Sequence, residues 1–240
     1  PSSIGDRLDA LLSAVGRRPD VLLGLLGRGI QLSRTPAMHE REAARQGFSC
    51  AYLLIDFDQA GFADVDLPEV LDAARAMGFR GLNVTHPFKQ SVLPHLVTLS
   101  PEAAAIGAVN TITFADGLAG HNTDCWGFAE SFRSQMGDVA RDRVVQFGAG
   151  GAGAAVGYAL AGLGVRELVI VDSAPGRAGA LAAHLTRATG ASVVASDDVA
   201  GALASADGIV NTTPVGMAKY PGMPFAAALL RPSHWVADII

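Results

Sequence analysis

The residues with the plainest chemical use in this sequence are the glycines of Phe147-Gly148-Ala149-Gly150-Gly151-Ala152-Gly153. Their G-x-G-x-x-G spacing follows a short strand-like run, Arg143-Val144-Val145-Gln146, and precedes an alanine-rich segment of helical length. In that setting Gly148 allows a tight turn, Gly150 lets backbone approach a pyrophosphate, and Gly153 lets helix pack on strand. The helix start adds N–H groups and a positive dipole end, both suited to phosphates. The next apolar run ends at Asp172, 24 residues beyond the first glycine and close to the roughly 20 expected of a carboxylate that accepts hydrogen bonds from a ribose hydroxyl. The spacing alone is a weak signal in a chain with 28 glycines. The flanking strand, helix and acid turn it into a dinucleotide site, with Gly148, Ala149, Gly150, Gly151, Ala152, Gly153 and Asp172 as its residues.

A second group of reactive side chains lies earlier. Of the 18 basic residues only Lys89 and Lys219 are lysines. Arginine does not deprotonate, so a lysine in an arginine-preferring chain marks a place where a tunable amine is useful. Lys89 closes the segment Gly81-Leu82-Asn83-Val84-Thr85-His86-Pro87-Phe88-Lys89, which reads as strand, turn and helix start. Asn83, Thr85 and Lys89 can then gather at a strand's carboxyl end, the edge where open α/β sheets bind ligands. Ser33 and Thr35, two positions apart in a polar loop, can turn both hydroxyls toward one ligand. Thr35 before Pro36 also reads as a helix N-cap with proline at N1. No capping role accounts for Ser33, and His39 in the following helix reads as structural.

The elements that must position these groups follow from periodicity and punctuation. Helices are predicted over residues 4–15, 37–46, 67–77 and 126–136. On the third of these, Leu67, Val70, Leu71, Ala74 and Met77 share one face. Strands are predicted over 21–26, 51–57 and 108–114, the last carrying Asn110. Asp116-Gly117 is a hairpin signal that returns the chain toward Asn122-Thr123-Asp124. From the glycine motif onward, strands over 143–147, 167–171, 192–195, 208–211 and 235–240 alternate with helices over 152–163, 175–189 and 199–204. That alternation implies a parallel sheet covered on both faces.

Composition bounds the partners. The chain has 240 residues, 50% of them hydrophobic, with a net charge of −5. That is enough for two small domains, and the charge argues against nucleic acid or an anionic membrane as main partner. The two cysteines, Cys50 and Cys125, form neither a disulfide framework nor a metal-ligand cluster, so no metal is expected. No apolar run is long enough to span a bilayer and no secretory signal is present, which gives a cytoplasmic expectation. The first residue is Pro1 rather than Met, which points to a processed or trimmed start.

Ser33-Arg34-Thr35-Pro36-Ala37-Met38-His39, Asn83-Val84-Thr85-His86-Pro87-Phe88-Lys89, Gly107-Ala108-Val109-Asn110-Thr111, Asn122-Thr123-Asp124 and Asn211-Thr212-Thr213-Pro214-Val215-Gly216-Met217, together with the glycine motif, resemble the motifs of the shikimate dehydrogenase family in their order. The resemblance implies a two-domain α/β fold: an N-terminal α/β substrate domain (residues 1–125) and a C-terminal Rossmann dinucleotide-binding domain (residues 126–240). It also implies an active site in the cleft between them and reversible hydride transfer between NAD or NADP and 3-dehydroshikimate. Alcohol oxidation needs a base for the hydroxyl proton, and the reverse reaction needs an acid at the same place. The resemblance gives that role to Lys89, with Asp124 orienting the amine. It gives substrate carboxylate binding to Ser33 and Thr35, ring-hydroxyl contacts to Asn83, Thr85 and Asn110, and cofactor contacts to Thr212, Thr213, Pro214, Val215 and Met217. The partners it implies are small molecules (shikimate, 3-dehydroshikimate and, on the quinate/shikimate branch, quinate), and the assembly it implies is a monomer or homodimer.

Three departures shape the expectation. Threonine at position 35, where the biosynthetic enzymes more often carry serine, is similar to the quinate/shikimate branch. Members that use NADP close the strand after the glycine motif with an asparagine- and arginine-containing segment. Here the segment is Val171-Asp172-Ser173-Ala174-Pro175-Gly176-Arg177. Asp172 would repel a 2′-phosphate, whereas Arg177 could reach one, stack on adenine or pair with Asp172, so NAD is expected over NADP. Finally, the family continues past the last strand with a tyrosine, a nicotinamide loop and a terminal helix, so a tail is expected beyond Ile240. Two other readings compete: a catalytically silent dinucleotide-binding paralogue, and a lysine-using methylenetetrahydrofolate enzyme. The latter would need an aromatic-lined pterin slot, and aromatic residues make up only 6% of the chain.

Overall fold

The structure is a computed structural model describing residues 3–13, 16, 18–115 and 117–239. It divides into two compact units. One comprises the chain up to Ala104 together with Ala108–His121; the other comprises Ala105–Gly107 and the chain from Asn122 onward.

The first unit carries β1 (Val21–Gly27), β2 (Cys50–Asp56), β3 (Gly81–Val84), β4 (Thr98–Leu99), β5 (Thr111–Thr113) and β6 (Ala119–His121) in one mixed sheet of order β2-β1-β3-β5-β6-β4. β1 pairs in parallel with β2 and β3, whereas β5 runs antiparallel to both β3 and β6. As an inner parallel strand, β1 has neighbours on both sides, which is why it reads as the near-continuous apolar run Val-Leu-Leu-Gly-Leu-Leu-Gly. The helices are α1 (Ile4–Ser13), α2 (Thr35–Arg45), α3 (Phe57–Ala60), α4 (Leu67–Ala76), α5 (Phe88–Ser91) and α6 (Pro101–Ile106). The predicted stripe on α4 is buried at Leu67, Val70, Leu71 and Ala74, with Met77 packed beside it. Phe57 and Phe88 meet in this core with ring centroids 4.5 Å apart, and both are essentially unexposed. Burying a phenylalanine is worth about 1.5–3 kcal/mol, so Phe88 anchors the short turn that carries its neighbour Lys89.

The second unit begins with α7 (Asp124–Met136) and continues β7 (Arg143–Phe147), α8 (Gly151–Gly162), β8 (Glu167–Val171), α9 (Arg177–Thr189), β9 (Ser192–Ala195), α10 (Val199–Ala204), β10 (Gly208–Asn211) and β11 (Trp235–Asp238). Its sheet is parallel throughout, in the order β11-β10-β7-β8-β9. The chain winds outward from β7 in one direction through β8 and β9, then in the other through β10 and β11. That reversal beside β7 is a topological switch point, and its carboxyl edge is where open α/β sheets bind ligands. The α/β expectation and the Rossmann-type winding are both met.

Several local expectations need correction. Thr35 is not an N-cap: the cap position is Arg34, without a side-chain cap bond, and α2 starts at Thr35 itself. Thr35 is occupied instead by its hydroxyl contact with Ser33. The strand predicted over 108–114 shrinks to β5, so Asn110 precedes the strand rather than lying in it. Asp124 is the first residue of α7, two residues ahead of the predicted helix start. The ends at Val15 and Ile240, and Asp116 of the hairpin signal, lie outside the described residues.

Candidate active site

In the first unit, Ser33 Oγ donates to Thr35 Oγ1 at 2.9 Å and accepts the Thr35 N–H at 3.3 Å. The two predicted hydroxyls are thus brought together. The loop ahead of them is held by a residue that the motifs did not single out. Asp56, at the end of β2, is 1% exposed and accepts the N–H groups of Gly29 at 3.0 Å, Ile30 at 3.0 Å and Asp58 at 3.1 Å, plus Gln31 Nε2 at 3.0 Å. Burial pushes its carboxyl pKa up, but the Gln31 amide and the backbone donors of Gly29, Asp58 and Ile30 outweigh burial and hold it below the usual value. Ser33 then closes the turn by donating its N–H to Ile30 O at 2.9 Å. Outside this turn Arg28 pairs with Asp58 and Asp64, each at 2.6 Å, and those carboxylates raise its pKa. Its guanidinium also covers the rings of Phe57 at 5.5 Å and Phe88 at 5.9 Å.

Asn83 sits in β3 opposite Thr111 of β5. Tyr52 Oη donates to Asn83 Oδ1 at 2.7 Å, and Asn83 Nδ2 donates to Thr111 Oγ1 at 3.0 Å and to Asn110 O at 3.3 Å. Thr111 Oγ1 in turn donates to Asn110 Oδ1 at 3.0 Å. Asn83 and Asn110 therefore belong to one directed network, with Tyr52 and Thr111 as members that sequence reasoning missed. Both amide hydrogens of Asn83 are used inside it, leaving an acceptor lone pair on Oδ1. Burial of Tyr52 pushes its phenol well above the usual range, which keeps it a donor. Thr85 follows β3, and Lys89 lies in α5, where its carbonyl accepts the Val109 N–H at 2.7 Å. That bond ties the lysine turn to the segment leading into Asn110.

In the second unit, Asp124 opens α7, and Asn122 Oδ1 accepts the N–H groups of Asp124 at 3.1 Å and Cys125 at 3.3 Å. The glycine loop joins β7 to α8. Gly148 has φ +103°, a conformation that favours glycine. A Cβ at Gly153 would lie 2.3 Å from Gly148 O, so only glycine permits that approach. Asp172, just past β8, accepts Ala149 N–H at 2.7 Å and Ala174 N–H at 2.8 Å. Arg177 makes no ion pair with Asp172. Its Nη2 lies 3.3 Å from where a Cβ on Gly150 would sit. The guanidinium thus borders the loop.

Beyond β10, Thr212 Oγ1 donates to Phe147 O at 2.8 Å and to Gly148 O at 3.1 Å, which fastens this segment to the glycine loop. Asn211, buried and unassigned by the motif reading, shapes the turn that follows. Its Oδ1 accepts Thr213 N–H at 3.0 Å and Thr213 Oγ1–H at 2.7 Å, and its Nδ2 donates to Val215 O at 2.9 Å. Met217 N–H closes onto Pro214 O at 3.2 Å, and the Met217 side chain is exposed. A glycine-cradled helix start, an acid on the neighbouring strand and a threonine clamp together fit a dinucleotide.

Comparison with known proteins follows the same division. The sequence model of the shikimate dehydrogenase substrate binding domain matches residues 25–112. The chain is 52% identical over 223 residues to a shikimate dehydrogenase (NADP(+)) of Streptomyces avermitilis, covering 91% of this chain and 77% of that protein. It is 48% identical to a quinate/shikimate dehydrogenase (NAD(+)) of Corynebacterium efficiens, covering 92% of this chain and 79% of that one. The solved quinate dehydrogenase of Corynebacterium glutamicum in complex with NAD superposes with a TM-score of 0.84 at 44% identity, over 92% of this chain and 80% of that structure. With relatives this similar over nine-tenths of its length, the chain belongs to the shikimate dehydrogenase family, on its quinate/shikimate branch.

Proposed function

We propose that the protein catalyses the reversible oxidation of shikimate to 3-dehydroshikimate, and of quinate to 3-dehydroquinate, with NAD preferred over NADP. The first unit serves as the substrate domain and the second as the cofactor domain, with the boundary expected at residues 125/126 drawn back ahead of α7, so that Asp124 belongs to the second. The observation that carries the reading is the Ser33–Thr35 hydroxyl pair, 2.9 Å apart on a loop held by a buried carboxylate. Two adjacent hydroxyls on a fixed loop can donate to both oxygens of a small carboxylic acid.

The other residues take roles that fit their surroundings. Asn83 Oδ1 accepts from a ring hydroxyl through its remaining lone pair, and Thr85 and Asn110 contact the neighbouring hydroxyls. Lys89 takes the proton from the reacting hydroxyl and returns it in the reverse direction, while Asp124 orients the amine. Bound NAD supplies the hydride acceptor. The N–H groups at the start of α8 and its dipole hold the pyrophosphate, with Gly148, Ala149, Gly150, Gly151, Ala152 and Gly153 forming the cradle. Asp172 keeps further lone pairs after its two backbone bonds, enough to accept from a ribose 2′-hydroxyl. Arg177, which borders the loop at Gly150, and Thr212, Thr213, Pro214, Val215 and Met217 would supply further contacts to the cofactor.

The test is direct. Purified protein is mixed with shikimate or quinate and NAD or NADP, and nicotinamide absorbance is followed. Reduction with either acid supports the proposal; silence with all four combinations would overturn it, and retained NAD binding in calorimetry would then point to a catalytically silent paralogue.

A further inference from the structure

We propose that Gln146 is a positioning residue for the dinucleotide: its side-chain amide clamps the two ends of the glycine loop and so pre-arranges the N–H groups that meet the pyrophosphate. The proposal rests on the dinucleotide reading of that loop. Gln146 lies in β7, the middle strand of its sheet, and is fully buried. Its register partners are Ile170 and Val210, and an apolar residue is what such a position ordinarily takes. Instead, Nε2 donates to Gly148 O at 2.9 Å and to Gly153 O at 2.9 Å. These are the first and last glycines of the G-x-G-x-x-G turn, so one amide spends both hydrogens tying its ends together.

The orientation of that amide is fixed. Reversing it would set Oε1 against two carbonyl oxygens. As it stands, Oε1 is buried without a hydrogen-bond partner. The helix makes room for the group: a Cβ at Gly153 would come within 3.0 Å of Nε2, and one at Gly157 within 3.3 Å of Oε1. A buried acceptor left unpaired costs stability, and an aliphatic side chain would avoid that cost. The two donated bonds are what the glutamine adds. The Gly148 carbonyl is also held by Thr212 Oγ1 at 3.1 Å, so the clamp links the glycine loop to the turn after β10. A loop whose curvature is set before the ligand arrives loses less conformational freedom on binding, and the gain appears as affinity.

The test compares wild-type protein with Gln146→Met, measuring NAD affinity by calorimetry, KM for NAD and for shikimate, and thermal stability. Loss of two donated bonds should raise the NAD Kd and KM about tenfold and leave the shikimate KM unchanged. If the Met variant does not fold, Gln146→Leu, also without donors, carries the same comparison. A folded variant that binds NAD as tightly as wild type, with only its thermal stability lowered, overturns the clamp and makes Gln146 a structural residue. Equal rises in both KM values overturn it too. Wild-type protein that binds no dinucleotide would instead refute the reading of the loop itself, a result distinct from either.

Discussion

Asp172 Oδ2 accepts the Ala149 N–H at 2.7 Å, joining the acid after β8 to the turn after β7. Its other oxygen accepts the Ala174 N–H at 2.8 Å. The carboxylate is therefore held in place at the loop before any cofactor arrives. A 2′-phosphate brought to it would meet like charge, whereas a 2′-hydroxyl would find an acceptor. Asp172→Asn should cut the preference for NAD over NADP, measured as the ratio of kcat/KM values, by about ten- to hundred-fold, equivalent to about 1–3 kcal/mol. A native preference for NADP, or an unchanged ratio in the variant, would remove Asp172 from cofactor selection.

Ser33→Ala removes the donor of the Ser33–Thr35 pair. A lost hydrogen bond to a carboxylate costs about 1.5–3 kcal/mol, so KM for shikimate should rise about ten- to hundred-fold. KM for the cofactor should barely move. Equal changes in the two would make the loop structural.

The Asp56 carboxylate sets the acid limit of the substrate loop. Its folded pKa lies below the usual carboxylate value. Its stabilising effect is therefore complete above the unfolded pKa, about 4, and is lost as pH falls through the folded pKa. Asp56→Asn should destabilise the protein at neutral pH by about 1.5–3 kcal/mol, because an amide cannot accept at every contact. The gap between wild type and variant in urea midpoint should stay constant from about pH 7 down to about pH 5 and narrow as pH falls below about 4. A gap that stays constant throughout would show that the Asp56 charge is not what holds the loop.

What the sequence made legible divides by distance along the chain. The glycine loop was readable because each glycine has a local steric reason, and its partner acid lies one strand away. Lys89 stood out because lysine is rare in this chain. Asp56 did not, because a single acid after Leu-Leu-Ile reads as a strand end, and three of its donors sit 25 to 27 residues earlier. Tyr52 reaches Asn83 across 31 residues for the same reason. Thr-Pro is a strong local cap signal, but α2 starts at Thr35 itself, one residue earlier than a cap there would allow, and its hydroxyl meets Ser33 two positions before it. Gln146 looked like an ordinary strand residue. Its use depends on two carbonyls in a turn whose geometry forms only when α8 packs on β7.

The proposed proton transfer by Lys89 is open to direct test. The direct measurement is single-turnover and steady-state oxidation of shikimate and quinate by wild-type protein and by Lys89→Met, with NAD affinity determined on the same samples. If Lys89 moves that proton, turnover falls by at least about 10²–10⁴-fold in the variant, with most of the NAD affinity retained. Near-normal turnover in Lys89→Met would contradict that role and leave the lysine a structural residue.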